Sequence, residues 1–292
     1  MVIFLQILSI ALVLGFGFVA FKIDKPVFKI KSIVMVAIFA TLTVVLSIVS
    51  VMVPMFGFPS LRIGFSQLPL MLSGVILGPF FGVLTAVVGD LLGLLLNPTD
   101  FPFFGFMLSE VIVAFIPAAV FGLFRKYDDK QSSRLVIYLL TVVAVGVVVF
   151  TLSNFSLKFG DQVMQLNLFS RLLILVVLVS FLVAIYFIMT LLQKHLKKSD
   201  VFSLNKWIFC VILIEIVVNI CLHPLWLQVM YGIPYMGSAV VRIVKGVIMI
   251  GINGFVGYFL LRMLARFMRL SVIKGDYIEE ITDDEIVVVD KK

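Results

Sequence analysis

Arg242 and Lys245 stand three residues apart inside a long apolar stretch. A charge near the bilayer centre costs about 2.5–3.5 kcal/mol on insertion scales, so it needs a partner or a purpose. Residues three apart share a helix face, so the pair aims two cations in one direction. The chemistry this suits is capture of an anion, with arginine able to grip a carboxylate through two parallel hydrogen bonds. Asn219, His223 and Trp226 follow an i, i+4, i+7 spacing, which makes one stripe, and Glu215 extends it by a turn. Asp90 and Glu110 lie in other apolar segments, while Arg62, Phe65, Ser66 and Gln67 fall in a short, more polar one. Together these types could line a pocket that takes an anionic ligand. Each also has a plainer role. Trp226, Tyr231 and Tyr235 would serve as an interfacial aromatic belt, and Arg242 could extend to headgroups. Asp90 could balance Lys245, and His223 could satisfy a kink before Pro224.

Catalysis finds little support. There are two histidines, and His195 lies in a basic segment. No H-E-x-x-H metal set, no G-x-S-x-G elbow and no phosphate-binding G-x-x-x-x-G-K-[ST] loop occurs. No cofactor or metal is therefore expected. Cys210 and Cys221, eleven apart in one apolar stretch, read as small hydrophobes.

The elements that must position these residues are membrane helices. The chain has 292 residues, 62% hydrophobic and 13% charged, with a mean hydropathy of +1.23, too little polar surface for a water-soluble domain of this length. Apolar runs long enough to span cover 2–21, 32–53, 103–124, 134–153, 168–193, 206–230 and 238–261. The first lacks a basic start and a small-residue cleavage site, and is expected to be retained. A longer run, 66–96, is interrupted at Gly78-Pro79. Charge bias decides how it crosses. The segments 22–31, 125–134, 194–206 and the tail after Leu261 hold 18 of the 23 Lys and Arg residues, and such segments stay cytoplasmic. All four fall on one side only if 66–96 crosses twice. The expectation is nine helices, with the N-terminus outside and the C-terminus inside. The net charge of +7 is then positive-inside bias, with no nucleic acid implied. The polar residues gather in the outer half, where a channel would need them at every depth. Residues 54–67 read as an outer loop, and the acidic 271–292 as a flexible cytoplasmic tail.

Several strings carry a resemblance. They are Leu61-Arg62-Ile63-Gly64-Phe65, Leu68-Pro69, Gly78-Pro79, Asp90 with Gly93, and Phe103 through Ser109. Further on come Asn219, His223-Pro224-Leu225-Trp226-Leu227, Tyr231-Gly232-Ile233-Pro234, Val241-Arg242 and Lys245. In these the chain resembles the substrate-binding S components of energy-coupling factor (ECF) transporters, most of all the folate family. It departs in having His223 for an Asn, Phe104 for a Pro and Met107 for a Thr. The resemblance covers about 32–125 and 206–270. It implies an all-α polytopic membrane protein with a six-helix core. Core helices 1–4 would be 32–125 and helices 5–6 would be 206–270. Residues 1–31 would add an N-terminal helix, and 126–205 an inserted two-helix hairpin. The resemblance further implies high-affinity capture of folate or a reduced folate at the outer face of a bacterial cell membrane. The partners would be a transmembrane T component and two ATPase subunits, with the binding subunit toppling to release its ligand inside. The implied ligand residues are Arg62, Phe65, Ser66, Gln67, Asp90, Asn219, His223, Trp226, Tyr231, Arg242 and Lys245. The pterin edge would meet Asp90 or Asn219, its ring Trp226 or Phe65, and the glutamate Arg62, Arg242 or Lys245. Ala37, Ala40 and Thr41 offer a small-residue face for docking or for internal packing. Another vitamin, or a non-transporting sensor or assembly role on the same fold, stands as the alternative.

Overall fold

The computed structural model describes residues 2–55, 58–96, 102–123, 129–152, 156–159, 162–165, 168–195, 203–268, 272–274, 277–281 and 286–290. Among them are nine helices: α1 (Val2–Asp24), α2 (Ile30–Val49), α3 (Gln67–Leu77), α4 (Pro79–Leu96), α5 (Phe104–Leu123), α6 (Asp129–Leu152), α7 (Leu168–His195), α8 (Leu204–Tyr231) and α9 (Tyr235–Met268). The protein is a polytopic all-α membrane protein, and six of the described helices are long and apolar enough to cross a bilayer.

The break at Gly78-Pro79 is real and has a backbone cause. Gly78 takes φ +88, which closes α3 with a left-handed residue, and Pro79 opens α4 where its missing N–H costs nothing. With eleven residues, α3 is the shortest of the nine; at 1.5 Å per residue it reaches only about half-way through a 30 Å core. α1 stops where Lys25 turns to φ 43 ahead of Pro26.

Two sequence expectations need correction. The stretch 54–67 is more than a loop: β1 (Val51–Met55) pairs antiparallel with β2 (Phe58–Ile63), with a bulge at Val53/Pro54. The expected span 32–53 accordingly ends as helix at Val49. The tail is not shapeless either. β5 (Val272–Lys274), β6 (Tyr277–Ile281) and β7 (Ile286–Asp290) form an antiparallel meander, after β3 (Ser156–Phe159) and β4 (Gln162–Gln165) have joined α6 to α7. Val and Ile runs favour strands where a segment is not held in lipid, and period 2 is hard to see in strands of three to six residues.

Lipid tails are as apolar as leucine, so close packing rather than water exclusion holds such helices together. α3, α4 and α5 meet almost backbone to backbone: a Cβ on Gly74 would collide with the Ala114 carbonyl oxygen, and one on Gly82 would come 2.9 Å from the Gly74 Cα. α8 and α9 pack on this unit and on each other, burying Trp207, Tyr258, Ile208 and Leu261. The Trp207 indole N–H donates to the Asn253 carbonyl at 3.1 Å. α6 and α7 lie outside α8 and α9, touching through Leu182, Ile185 and Met189. α1 packs on α4 and α5, with Phe16 edge-on to Phe115 at 5.1 Å. At one end of α1, Gln6 donates to the Pro102 carbonyl at 3.1 Å. At its other end Asp24 lies against Gly78, so the α4–α5 connection and the α3–α4 turn sit at opposite ends of the bundle.

Candidate functional site

The site grows from one irregularity in α8. Residues Glu215–Leu222 form a π-helix, in which N–H groups reach five residues back, a form frequent at functional sites. Pro224 comes two residues after its end and has no N–H to give. The Tyr235 hydroxyl donates to the Ile220 carbonyl at 3.4 Å, which satisfies a group that lipid could not. The widened turn gives Glu215, Asn219 and His223 a different heading from the rest of the helix.

Asn219 and Gln67 face each other as a reciprocal amide pair across α8 and α3. Gln67 Nε2 donates to Asn219 Oδ1 at 3.4 Å, and Asn219 Nδ2 donates to Gln67 Oε1 at 3.3 Å. Both distances are at the long end for hydrogen bonds. His223 Nδ1 lies 3.1 Å from Asn219 Oδ1 and 3.4 Å from Arg242 Nη1. A single ring nitrogen either donates to the amide oxygen or accepts from the guanidinium, so the histidine serves one neighbour at a time. Arg242 is 4% exposed, and its Nε donates to Ser238 Oγ one turn earlier at 3.3 Å. Glu215 is 2% exposed. It bonds with Asn219 and feels the charges of Lys245 and Arg242, while its Oε2 lies beside Gly246, where a Cβ would come within 3.3 Å.

The structure therefore joins Gln67, Asn219, His223 and Arg242 directly, with Lys245 linked through Glu215. Trp226 goes elsewhere. Its N–H donates to Ser109 Oγ at 3.0 Å, its ring meets Phe103 edge-on at 5.5 Å, and Gly105 leaves room for both. At 5% exposed, the indole is enclosed by protein. Phe65 and Tyr231 are exposed, at 42% and 41%. Ser66 precedes α3 without a side-chain cap bond. Asp90 is half-buried on α4, next to Gly89, which abuts Ala40. Arg62 is in β2 opposite Met52, and its side chain lies outside the described residues. On α2, Ala37 and Thr41 are exposed whereas Ala40 is 0% exposed inside the α2–α4 contact. Ser238 and Phe106, whose ring is 5.9 Å from that of His223, are absent from the sequence-derived set. Ser238 was legible as the residue four before Arg242; Phe106 carried no polar signal. Among the described residues no His, Cys, Asp or Glu group could hold a metal ion.

A family model described as ECF-type riboflavin transporter, S component, matches residues 27–198, the stretch from α2 through α7. That span takes in the α6–α7 hairpin, although packing joins α2–α5 more closely to α8 and α9. The folate transporter FolT of Clostridium novyi (strain NT) is 33% identical over 87 residues, 30% of this chain. The chain spans about half of that relative's length, 48%. The crystal structure of FolT bound with folic acid aligns over 81% of this chain and 97% of that one, at 20% identity and a TM-score of 0.46.

Proposed function

The chain belongs to the ECF-type riboflavin transporter S component family, and from that premise we propose that it is the ligand-capturing subunit of an ECF importer, taking folate or a reduced folate from the outer face. The observation that carries the ligand is the buried Arg242, 4% exposed, beside Lys245 on the same helix face. Riboflavin is uncharged and offers two cations hydrogen-bond acceptors without a counter-charge. Folate ends in a glutamate with two carboxylates, which arginine grips bidentately. Its pterin edge alternates donors and acceptors, matching the Gln67–Asn219 amide pair, whose long bonds of 3.3–3.4 Å are easily exchanged for ligand bonds. The strings around Arg62, Asp90 and Tyr231 support the same ligand. Phe65 is the exposed ring able to stack on it, since Trp226 is enclosed.

Uptake requires nucleotide energy from outside the chain. The partners in this reading are a T component and two ATPase subunits, with Ala37 and Thr41 of α2 on the docking face. The N-terminus is outside and the C-terminus in the cytoplasm of a bacterial cell. The opposite placement of Gln6 and Asp24 on the bundle supports this alternating threading.

Thermal unfolding of the purified chain against a vitamin panel tests the proposal. A ligand at 100 times its dissociation constant stabilises by about 2.7 kcal/mol. Folates are expected to raise Tm and riboflavin to leave it unchanged. A shift with riboflavin alone would move the ligand to the one in the family description, and no shift with any folate rejects the folate reading.

A further inference from the structure

Glu215 has no part in the ligand contacts proposed above, yet the charges of both cations reach it and its Oε2 lies beside Gly246, the residue that follows Lys245. It is 2% exposed, and among the described residues its Oε2 has no hydrogen-bond partner. The charges that reach it come from Arg242 and Lys245 of α9; His223, on its own helix, touches Asn219 and Arg242. α5, which also packs on the π-helix, contributes Glu110 as its titratable side chain. α3 brings only the neutral Gln67. An unpaired ionised carboxylate is held in such a place only by its counter-charges.

A ligand with two carboxylates changes that balance. Two cations against one anion become two cations against three. We propose that Glu215 is the internal counter-ion of the site, engaging Arg242 and Lys245 before a ligand arrives and taking one proton from water when a dianion claims them. This rests on the folate reading and adds to it a coupling between capture and proton uptake. The proton settles on the carboxylate that has lost its cations, because the ligand's own carboxylates gain them. The sign follows from linkage: a step that takes up one proton weakens up to tenfold for each unit rise in pH. A ligand with a single carboxylate balances the cluster and binds without uptake. Glu215 thus makes the site discriminate by ligand charge and by outside pH.

The test is titration calorimetry on the full-length purified chain. Folate and pteroate, which carry two carboxylates and one, are compared in two buffers of different ionisation enthalpy between about pH 6 and 7.5, where ligand carboxylates stay ionised. The expected result is net proton uptake with folate, larger at the higher pH, and none with pteroate. Glu215→Gln is expected to abolish the uptake and flatten the pH dependence of Kd. His223→Gln and Glu110→Gln are expected to keep the uptake whatever their affinity. No uptake in the unaltered chain overturns the inference and leaves the folate reading standing. Uptake that persists in Glu215→Gln and vanishes in either control assigns the proton elsewhere and also overturns it. Binding of neither compound overturns the folate reading beneath it.

Discussion

Ser238 orients the Arg242 Nε, His223 meets Nη1 only when its own Nδ1 is unprotonated, and the Glu215 carboxylate supplies counter-charge. A guanidinium fixed in this way loses little freedom on binding a carboxylate. Arg242→Ala is expected to raise the folate Kd at least tenfold, about 1.4 kcal/mol, measured by equilibrium binding in detergent. Unchanged affinity would remove Arg242 from the site. Arg242→Lys is expected to fall between, because lysine keeps the charge and loses the fork. At this scale the sequence was informative about type and stripe. The spacing marked Asn219, His223 and Trp226 as one stripe, and Arg242 with Lys245 as another. What separated Trp226 from Asn219 and His223 was the π-helix, which no residue pattern announces and which leaves Trp226 bonded to Ser109 instead.

Tyr235 of α9 donates its hydroxyl to the Ile220 carbonyl of α8, in the stretch that Pro224 interrupts. Tyr235→Phe is expected to cost about 1 kcal/mol of stability, read as a lower unfolding midpoint; an unchanged midpoint would refute the contribution of that bond. The contact of α3 with α5 is less forgiving. Gly74→Ala places a methyl against the Ala114 carbonyl oxygen, a backbone atom that cannot rotate away. A loss of about 1–3 kcal/mol is expected, read as a lower Tm whether or not ligand is present. The glycine was visible in the sequence; the backbone it faces, forty residues on, was not.

For the whole molecule, the threading predicts which ends face which water. With the exposed Cys221 replaced by serine, single cysteines at Pro102 and Val27 (both exposed) report on opposite ends of α1. An impermeant thiol reagent on intact cells is expected to label Pro102→Cys and spare Val27→Cys; the reverse pattern would overturn the N-outside orientation. The number and approximate limits of the helices, the Gly78-Pro79 break and the membrane class were all legible in the sequence. Each depends on local composition: apolar length against bilayer thickness, and a proline's missing donor. The β1–β2 ribbon and the β5–β7 meander were not, because such short strands show little period of their own. Tertiary structure alone decided that α6 and α7 lie outside α8 and α9, that Ala40 faces inward, and that Glu215 is buried within reach of the charges of Arg242 and Lys245. Those outcomes depend on which helix faces meet. In a chain apolar on nearly every side, hydrophobic pattern cannot choose the meeting faces; close backbone approach and the pairing of a few buried polar groups do.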